Sequence, residues 1–459
     1  MAATDALADW ARRGKDHEGR IAATFAALTA AEIAGWAQVR GPALGLTGAF
    51  LTPDLLALTA SGLDSGTLGG LGAAIIDRDN DPAGAPLLGE MHAMIRTEFA
   101  RFSDAEVAPR AEHIHRDDAL IPEPLIKAMA DLGVFGISIP EAYGGNFVDH
   151  QTMIIATEEL SRGSLGAGGS VITRPEICAK AILKGGTEAQ RRHWLPKLAS
   201  GKTIISVAVT EPNAGSDVAR VNLAAKRVTG GYSLSGEKTW CTFAGRADVL
   251  CVLARTGDTE ATADTPAVRR EGHKGLTLFL AEKPSRVSGD GDEYRFEFTQ
   301  PEGGRVVGHA IPTIGYRGMH SFSVSFEDFF VPEENRIGEE GQGFYLQMAG
   351  FAGGRIQTAA RAVGVMEAAF RSAIAYVKDR KVFGKPLAAY TLPRTKIAEM
   401  AARIQAGRQL AHAVGARMDN GEGDLEASLV KLLTCKDAEW VTREAMQLHG
   451  GMGYSEEYA

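Results

Sequence analysis

Four segments of this chain carry residue types and spacings suited to chemistry. In order they are Thr210-Glu211-Pro212-Asn213-Ala214-Gly215-Ser216-Asp217, Lys238-Thr239-Trp240-Cys241-Thr242, Arg380-Lys381-Val382-Phe383-Gly384-Lys385-Pro386-Leu387 and Gln447-Leu448-His449-Gly450-Gly451-Met452-Gly453-Tyr454. Each alone has a plain structural reading. Pro, Asn, Gly and Asp make the first an ordinary turn, and Trp240 and Thr242 suit one face of a strand. Arg380 reads as a basic helix terminus, and Gly450 and Gly451 as a turn where bare backbone passes close to another group. All four in one order are not a chance event. Two other groupings carry no such signal. His113 and His115 precede Asp117 and Asp118, but residues two apart on a helix do not face each other, which argues against a metal. Cys178, Cys241, Cys251 and Cys435 show no CxxC spacing and read as single thiols in a reducing compartment.

Together the four segments resemble the acyl-CoA dehydrogenase family, flavoenzymes that desaturate a coenzyme A thioester between its α and β carbons. The resemblance runs from about residue 90 to the end. That reaction needs a base for the α proton and a hydride acceptor at the β carbon; no side chain accepts a hydride, so a cofactor is required. The resemblance implies FAD. It further implies that Thr210 bonds the flavin pyrimidine edge, that Ser216 sits between flavin and pantetheine, and that Trp240 and Thr242 lie against the ring. An aromatic face shields the ring from water and a hydroxyl donor favours the reduced nitrogen. Arg380 and Phe383 would meet the FAD of a neighbouring subunit, and Gln447, Gly450 and Gly451 would pass its adenosine diphosphate. A homodimer or dimer of dimers is then the working unit.

On the substrate side the resemblance implies contacts from Ser216 and Arg355, with an electron-transferring flavoprotein as redox partner. The family places its base just before Arg355, where this chain has Gly354, or on a C-terminal loop. The loop glutamate would fall roughly 15 to 20 residues past Ala459, so the sequence looks truncated and its base is not visible. The segments 157–163, 185–190 and 355–362 resemble members that handle a short branched dicarboxylic acyl-CoA and carry an N-terminal extension. For the far carboxylate of such a substrate the candidate is Arg174: Pro175 disfavours helical backbone at the preceding residue and would turn this Arg inward. The plain alternative is a surface Arg174–Glu176 pair. An acyl-CoA oxidase or flavin monooxygenase on the same scaffold, or a base-less flavoprotein acting as a binding or assembly partner, are the competing functions.

The elements that must hold these residues read as helix, β, helix. Residues 1–85 form an extension with one amphipathic helix around Ile21, Phe25, Leu28 and Trp36, and the Gly66-to-Gly72 cluster reads as turns, lacking the spacing of a dinucleotide fingerprint. A helical domain spans 86–202: Met91, Met94, Ile95, Phe99 and Phe102 keep helical spacing with Pro109 near the exit. Leu125, Met129 and Leu132 share a face closed by Gly133, and Thr187 with Gln190 forms a capping box. A β domain spans 203–335, with strands expected at 203–209, 232–234, 249–253, 276–281 and 294–298, a hairpin at 228–232 and polar loops at 256–274 and 283–292. A helical bundle spans 336–459, with helices over 359–377, 396–418 and 425–448. The class is α+β, matching the three-part architecture of the resembled family.

Composition bounds the rest. A chain of 459 residues, 45% hydrophobic and 23% charged, is globular and buries large cores. A net charge of −8 gives no global basic field for nucleic acid. No apolar run spans a bilayer, so a membrane partner is not expected. Residues 1–15 do not read as a secretory signal, and the cytoplasm is the expected compartment.

Overall fold

The computed structural model describes residues 65–77, 88–256, 272–285, 292–301 and 303–458. The helix expected around Ile21 to Trp36 and most of the two polar loops lie outside those residues. The chain divides into two compact units, residues 98–357 and residues 1–97 with 358–459.

The first helix, α1 (Ser65–Ile76), occupies the glycine cluster expected to form turns. Packing explains the difference. Leu68, Leu71, Ile75 and Ile76 are buried in one cluster with Val363, Met366, Ile397 and Ala401. A Cβ on Gly72 would lie 1.9 Å from the carbonyl oxygen of Arg394, so glycine permits an approach that any side chain forbids. Burial therefore overrides the low helix propensity of glycine.

Next comes α2 (Glu90–Phe102), whose Met91 and Met94 are exposed while Phe99 is buried. Pro109 does not end it. The chain passes through a π turn, Ser103–Val107, into α3 (Ala108–Arg116), where Pro109 falls in the first turn and its missing N–H breaks no bond. After α4 (Glu123–Asp131), Gly133 takes φ +80° and reverses the chain as expected. Then follow α5 (His150–Gly163), α6 (Thr173–Gly185) and α7 (Glu188–Ala199). The capping box on α7 is formed: Gln190 N–H donates to Thr187 Oγ1 at 3.2 Å and Thr187 N–H to Gln190 Oε1 at 2.8 Å.

Among the described residues nine strands make one sheet: β1 (Ile205–Ala208), β2 (Ala224–Val228), β3 (Gly231–Thr242), β4 (Val249–Arg255), β5 (Leu276–Glu282), β6 (Arg295–Thr299), β7 (Arg305–Ile311), β8 (Ser321–Pro332) and β9 (Arg336–Ile337). The order is β6-β7-β8-β3-β2-β4-β5-β9, with β1 parallel to β4. All five expected strands and the 228–232 hairpin are present; β7, β8 and β9 are additional. In β4, Val249, Cys251 and Leu253 face a cluster holding Cys178, Ile182, Trp194 and Leu195 of α6 and α7. Leu250, Val252 and Ala254 face the opposite cluster with Phe279 and Phe326. Burial on both faces is why this strand reads as a continuous apolar run.

Three long helices complete the chain: α8 (Gly343–Asp379), α9 (Thr391–Met418) and α10 (Asp424–His449). The second half of α8 belongs with α1, α9 and α10, a bundle whose core holds a buried ion network. Arg408 donates to Glu367 at 3.0 Å and Arg371 to the other carboxylate oxygen at 2.8 Å. No helix among the described residues is long and apolar enough to cross a membrane.

Candidate functional site

The first patch lies in the unit of residues 98–357, where β1 and β3 converge. Thr210, half-buried just past β1, accepts a hydrogen bond at its carbonyl from Thr239 N–H at 2.8 Å. Ser206 of β1 donates to the Thr242 carbonyl at 2.8 Å, and Thr242 Oγ1 lies 3.1 Å from Ser321 Oγ. Between these ties β3 bulges: Lys238 pairs with Val324 but Cys241 with Phe322, so β3 carries one extra residue. Trp240 sits there at φ +57°, followed by Phe243 at φ +68°. Left-handed backbone at a bulky residue costs of order 1–2 kcal/mol. The chain accepts that cost to hold an indole 55% exposed. A flat apolar face, a hydroxyl two residues on and a half-buried Thr210 hydroxyl bearer fit a planar heterocycle with a polar edge.

Ser216 is exposed in the turn after Thr210, which Glu211 and Ala214 close with reciprocal backbone bonds of 3.0 and 3.1 Å. Beneath this surface lie two charges that the motif reading did not single out. Lys238 is fully buried and donates to Glu211 Oε1 at 2.8 Å and to the Val209 carbonyl at 3.0 Å. Burial draws the Lys238 pKa down, against the opposing pull of Glu211. Burial also pushes the Cys241 thiol up to about 12, with Lys238 opposing, so this cysteine stays protonated and is no nucleophile.

Around the candidate substrate residues Arg174 and Arg355, α6 and α8 pack closely. A Cβ on Gly350 would lie 2.6 Å from the Ile177 carbonyl oxygen, and one on Gly353 would lie 2.2 Å from both Glu176 Oε1 and Lys180 Nζ. Arg355 is half-buried on α8, and Gly354 carries no proton acceptor. The expectation for Arg174 needs correction in one respect. Its backbone is already helical, because Pro175 falls in the first turn of α6, where the N–H is not needed; its side chain lies outside the described residues. Glu176 pairs with Lys180 at 2.7 Å. Among the described residues several buried polar groups here have no partner: the Thr173 hydroxyl and both ends of the Gln347 and Gln357 amides.

The second patch lies in the other unit. Arg380 is exposed just past the end of α8, its N–H donating to Tyr376 O at 2.9 Å and its carbonyl accepting from Leu387 N–H at 2.7 Å. Those bonds shape a short hairpin, Lys381–Val382 against Lys385–Pro386, that lifts Phe383 to φ +48° and 96% exposure. One turn before Arg380 the Tyr376 ring stacks on His449, centroids 4.4 Å apart. His449 is itself fixed by Ala445 O at 2.8 Å and Ser372 Oγ at 3.2 Å. The structure thus joins the Arg380 and Gln447-to-Gly451 motifs, with Gln447, Gly450 and Gly451 all exposed. Nothing within 4 Å would meet a Cβ on either glycine, so the surface there is open. His449 is a positioning residue that its place inside the fourth motif signalled. His113 bonds Asp117 at 2.6 Å, and no cluster of three metal-binding side chains occurs among the described residues.

Comparison with known proteins agrees with this arrangement. Residues 89–202, 206–329 and 341–459 match the N-terminal, middle and C-terminal domain profiles of acyl-CoA dehydrogenase. The chain is 43% identical over 377 residues to (2S)-methylsuccinyl-CoA dehydrogenase of Cereibacter sphaeroides, covering 82% of this chain but 65% of that enzyme's length. Among solved structures it resembles butyryl-CoA dehydrogenase from Megasphaera elsdenii, with a TM-score of 0.71 and 30% identity over 82% of this chain and 92% of that one. It also resembles a glutaryl-CoA dehydrogenase from Mycobacterium smegmatis in complex with FADH2, with a TM-score of 0.69 and 26% identity over 83% and 88% of the two chains.

Proposed function

Because this chain belongs to the acyl-CoA dehydrogenase family, we propose that it desaturates a short branched dicarboxylic acyl-CoA, with (2S)-methylsuccinyl-CoA as the candidate substrate. FAD is the cofactor of this family, and when bound it supplies the acceptor for the hydride leaving the β carbon. The observation that carries the reading is the strained, exposed Trp240 bulge tied to Thr210 and Thr242.

In this proposal the Thr210 and Thr242 hydroxyls bond the flavin edge, and the Trp240 face excludes water from the ring. Ser216 lies beside the pantetheine, and Arg355 orients the acyl group. Arg174 meets the far carboxylate, since burying that charge without a cation or several donors is costly. The unpartnered amides of Gln347 and Gln357 support a substrate that brings polar atoms of its own. Arg380 and Phe383, with Gln447, Gly450 and Gly451, hold the adenosine diphosphate half of a neighbouring copy's FAD, which makes a homodimer the working unit. Electrons then pass to an electron-transferring flavoprotein in the cytoplasm.

The test compares kcat/KM for (2S)-methylsuccinyl-CoA and isovaleryl-CoA, with an electron-transferring flavoprotein or a dye as acceptor and peroxide followed in parallel. Preference for the dicarboxylic substrate with little peroxide supports the proposal. Stoichiometric peroxide would make the chain an oxidase, and preference for the uncharged acyl group would remove the dicarboxylic assignment.

A further inference from the structure

Glu211 and Lys238 are a buried ion pair at the junction of three backbone segments. Lys238 bonds the Val209 carbonyl at the end of β1. Glu211 Oε1 accepts from Leu223 N–H at 2.8 Å as well as from Lys238, while Oε2 accepts from Asn222 N–H at 2.8 Å. Both side chains are buried and every recorded partner of either lies inside the protein. A hydrophobic pair of similar volume would fill such a site at no greater cost in stability. What it would not do is tie β3, through Lys238, to the Val209 carbonyl and, through Glu211, to the backbone N–H groups of residues 222 and 223 at once. One residue past Lys238, Thr239 ties to Thr210, and the next is Trp240 in its left-handed conformation. A strained backbone persists only where its surroundings over-determine it.

We infer that the Glu211–Lys238 pair is a positioning device that fixes the Trp240 bulge and the 210–217 turn in register with each other for the cofactor. The inference rests on the FAD reading above. The pair touches no cofactor atom; it acts through Thr210 and Trp240. Removing one charge leaves the other buried and alone, so single variants lose both fold stability and register. Removing both separates the two, because the core no longer holds an unpaired charge while the Lys238 bonds that tie β3 to Val209 and to residue 211 are gone.

The experiment uses the full chain with Glu211→Gln, Lys238→Met and the double substitution. It reads the apo-protein melt, FAD affinity from flavin fluorescence, Trp emission on FAD addition, and the flavin spectrum and potential. The expected result is that both single variants melt earlier and bind FAD at least about tenfold more weakly, as for a lost hydrogen bond to a charged group. The double variant recovers most of the apo-protein melt but not the affinity, and its flavin spectrum and potential shift. A double variant that binds FAD within about twofold of the parent, with the parent's spectrum and potential, overturns the inference. One that fails to fold also overturns it, since the pair would then serve the core. A parent chain that takes up no FAD would instead remove the reading on which it rests.

Discussion

Arg380→Ala separates cofactor binding from folding more cleanly than any other substitution at the proposed FAD surface. The side chain is exposed and, among the described residues, makes no hydrogen bond or ion pair; only its backbone groups are engaged, with Tyr376 and Leu387. Alanine therefore removes no internal contact. The one intrinsic loss is that of a cation at the C-terminal end of α8, worth about 0.3–1 kcal/mol at an exposed site. Against a phosphate the same guanidinium makes charge-assisted bonds worth about 1.5–3 kcal/mol. The variant should thus melt close to the parent while its FAD dissociation constant rises roughly 10- to 150-fold. Titrating apo-protein with FAD, followed by flavin fluorescence at low and at moderate salt, reads this directly, and the loss should shrink as salt screens the parent. An unchanged dissociation constant would refute the placement of Arg380 on the cofactor. A large drop in melting temperature with unchanged affinity would show the residue to be structural.

Trp240→Gly should leave apo-protein stability within about 1 kcal/mol, because the strain at φ +57° is relieved as chain entropy is lost, yet weaken FAD retention; unimpaired retention on a desalting column would count against the indole's role. Gly354→Ala should stabilise α8 by about 0.5–1 kcal/mol, since its Cβ meets only Ile177 at ordinary contact distance. Gly353→Ala should fall below the parent because it displaces the Glu176–Lys180 pair; urea melts of equal sign for the two would contradict this packing. Glu367→Gln should cost about 3–5 kcal/mol by leaving two arginines facing a neutral amide. Burial works to raise the Glu367 pKa, but Arg408 and Arg371 outweigh it and hold the carboxyl below its usual range. Its stabilisation is therefore complete above the unfolded carboxylate pKa of about 4.3 and fades as pH falls through the lower folded value. Acid titration of the melt should show a steeper loss in the parent than in the variant.

How far sequence carries depends on whether a residue's role is local. The Thr187–Gln190 cap, the Gly133 turn and the strand at 249–253 are written in neighbouring residues and were legible. The helix at Ser65–Ile76 was not, because four glycines among twelve residues argue for turns until the Arg394 backbone is seen against Gly72. The backbone at Arg174 was misjudged for a related reason: the rule against helix before proline gives way in a helix's first turn, and where that turn begins is set by packing. The candidate site residues Thr210, Trp240, Thr242 and Arg380 were legible as motifs, while the strain at Trp240 and the buried Glu211–Lys238 tie were not. Both arise from the pairing of β3 with β8 and with the end of β1, which distant segments determine.

The most direct measurement is anaerobic mixing of the FAD-loaded chain with (2S)-methylsuccinyl-CoA in a stopped-flow spectrophotometer, with isovaleryl-CoA alongside. The account predicts loss of the visible oxidised-flavin band with the dicarboxylic thioester, at lower concentration and higher rate than with the uncharged one. A flavin that isovaleryl-CoA bleaches and methylsuccinyl-CoA leaves oxidised would contradict it.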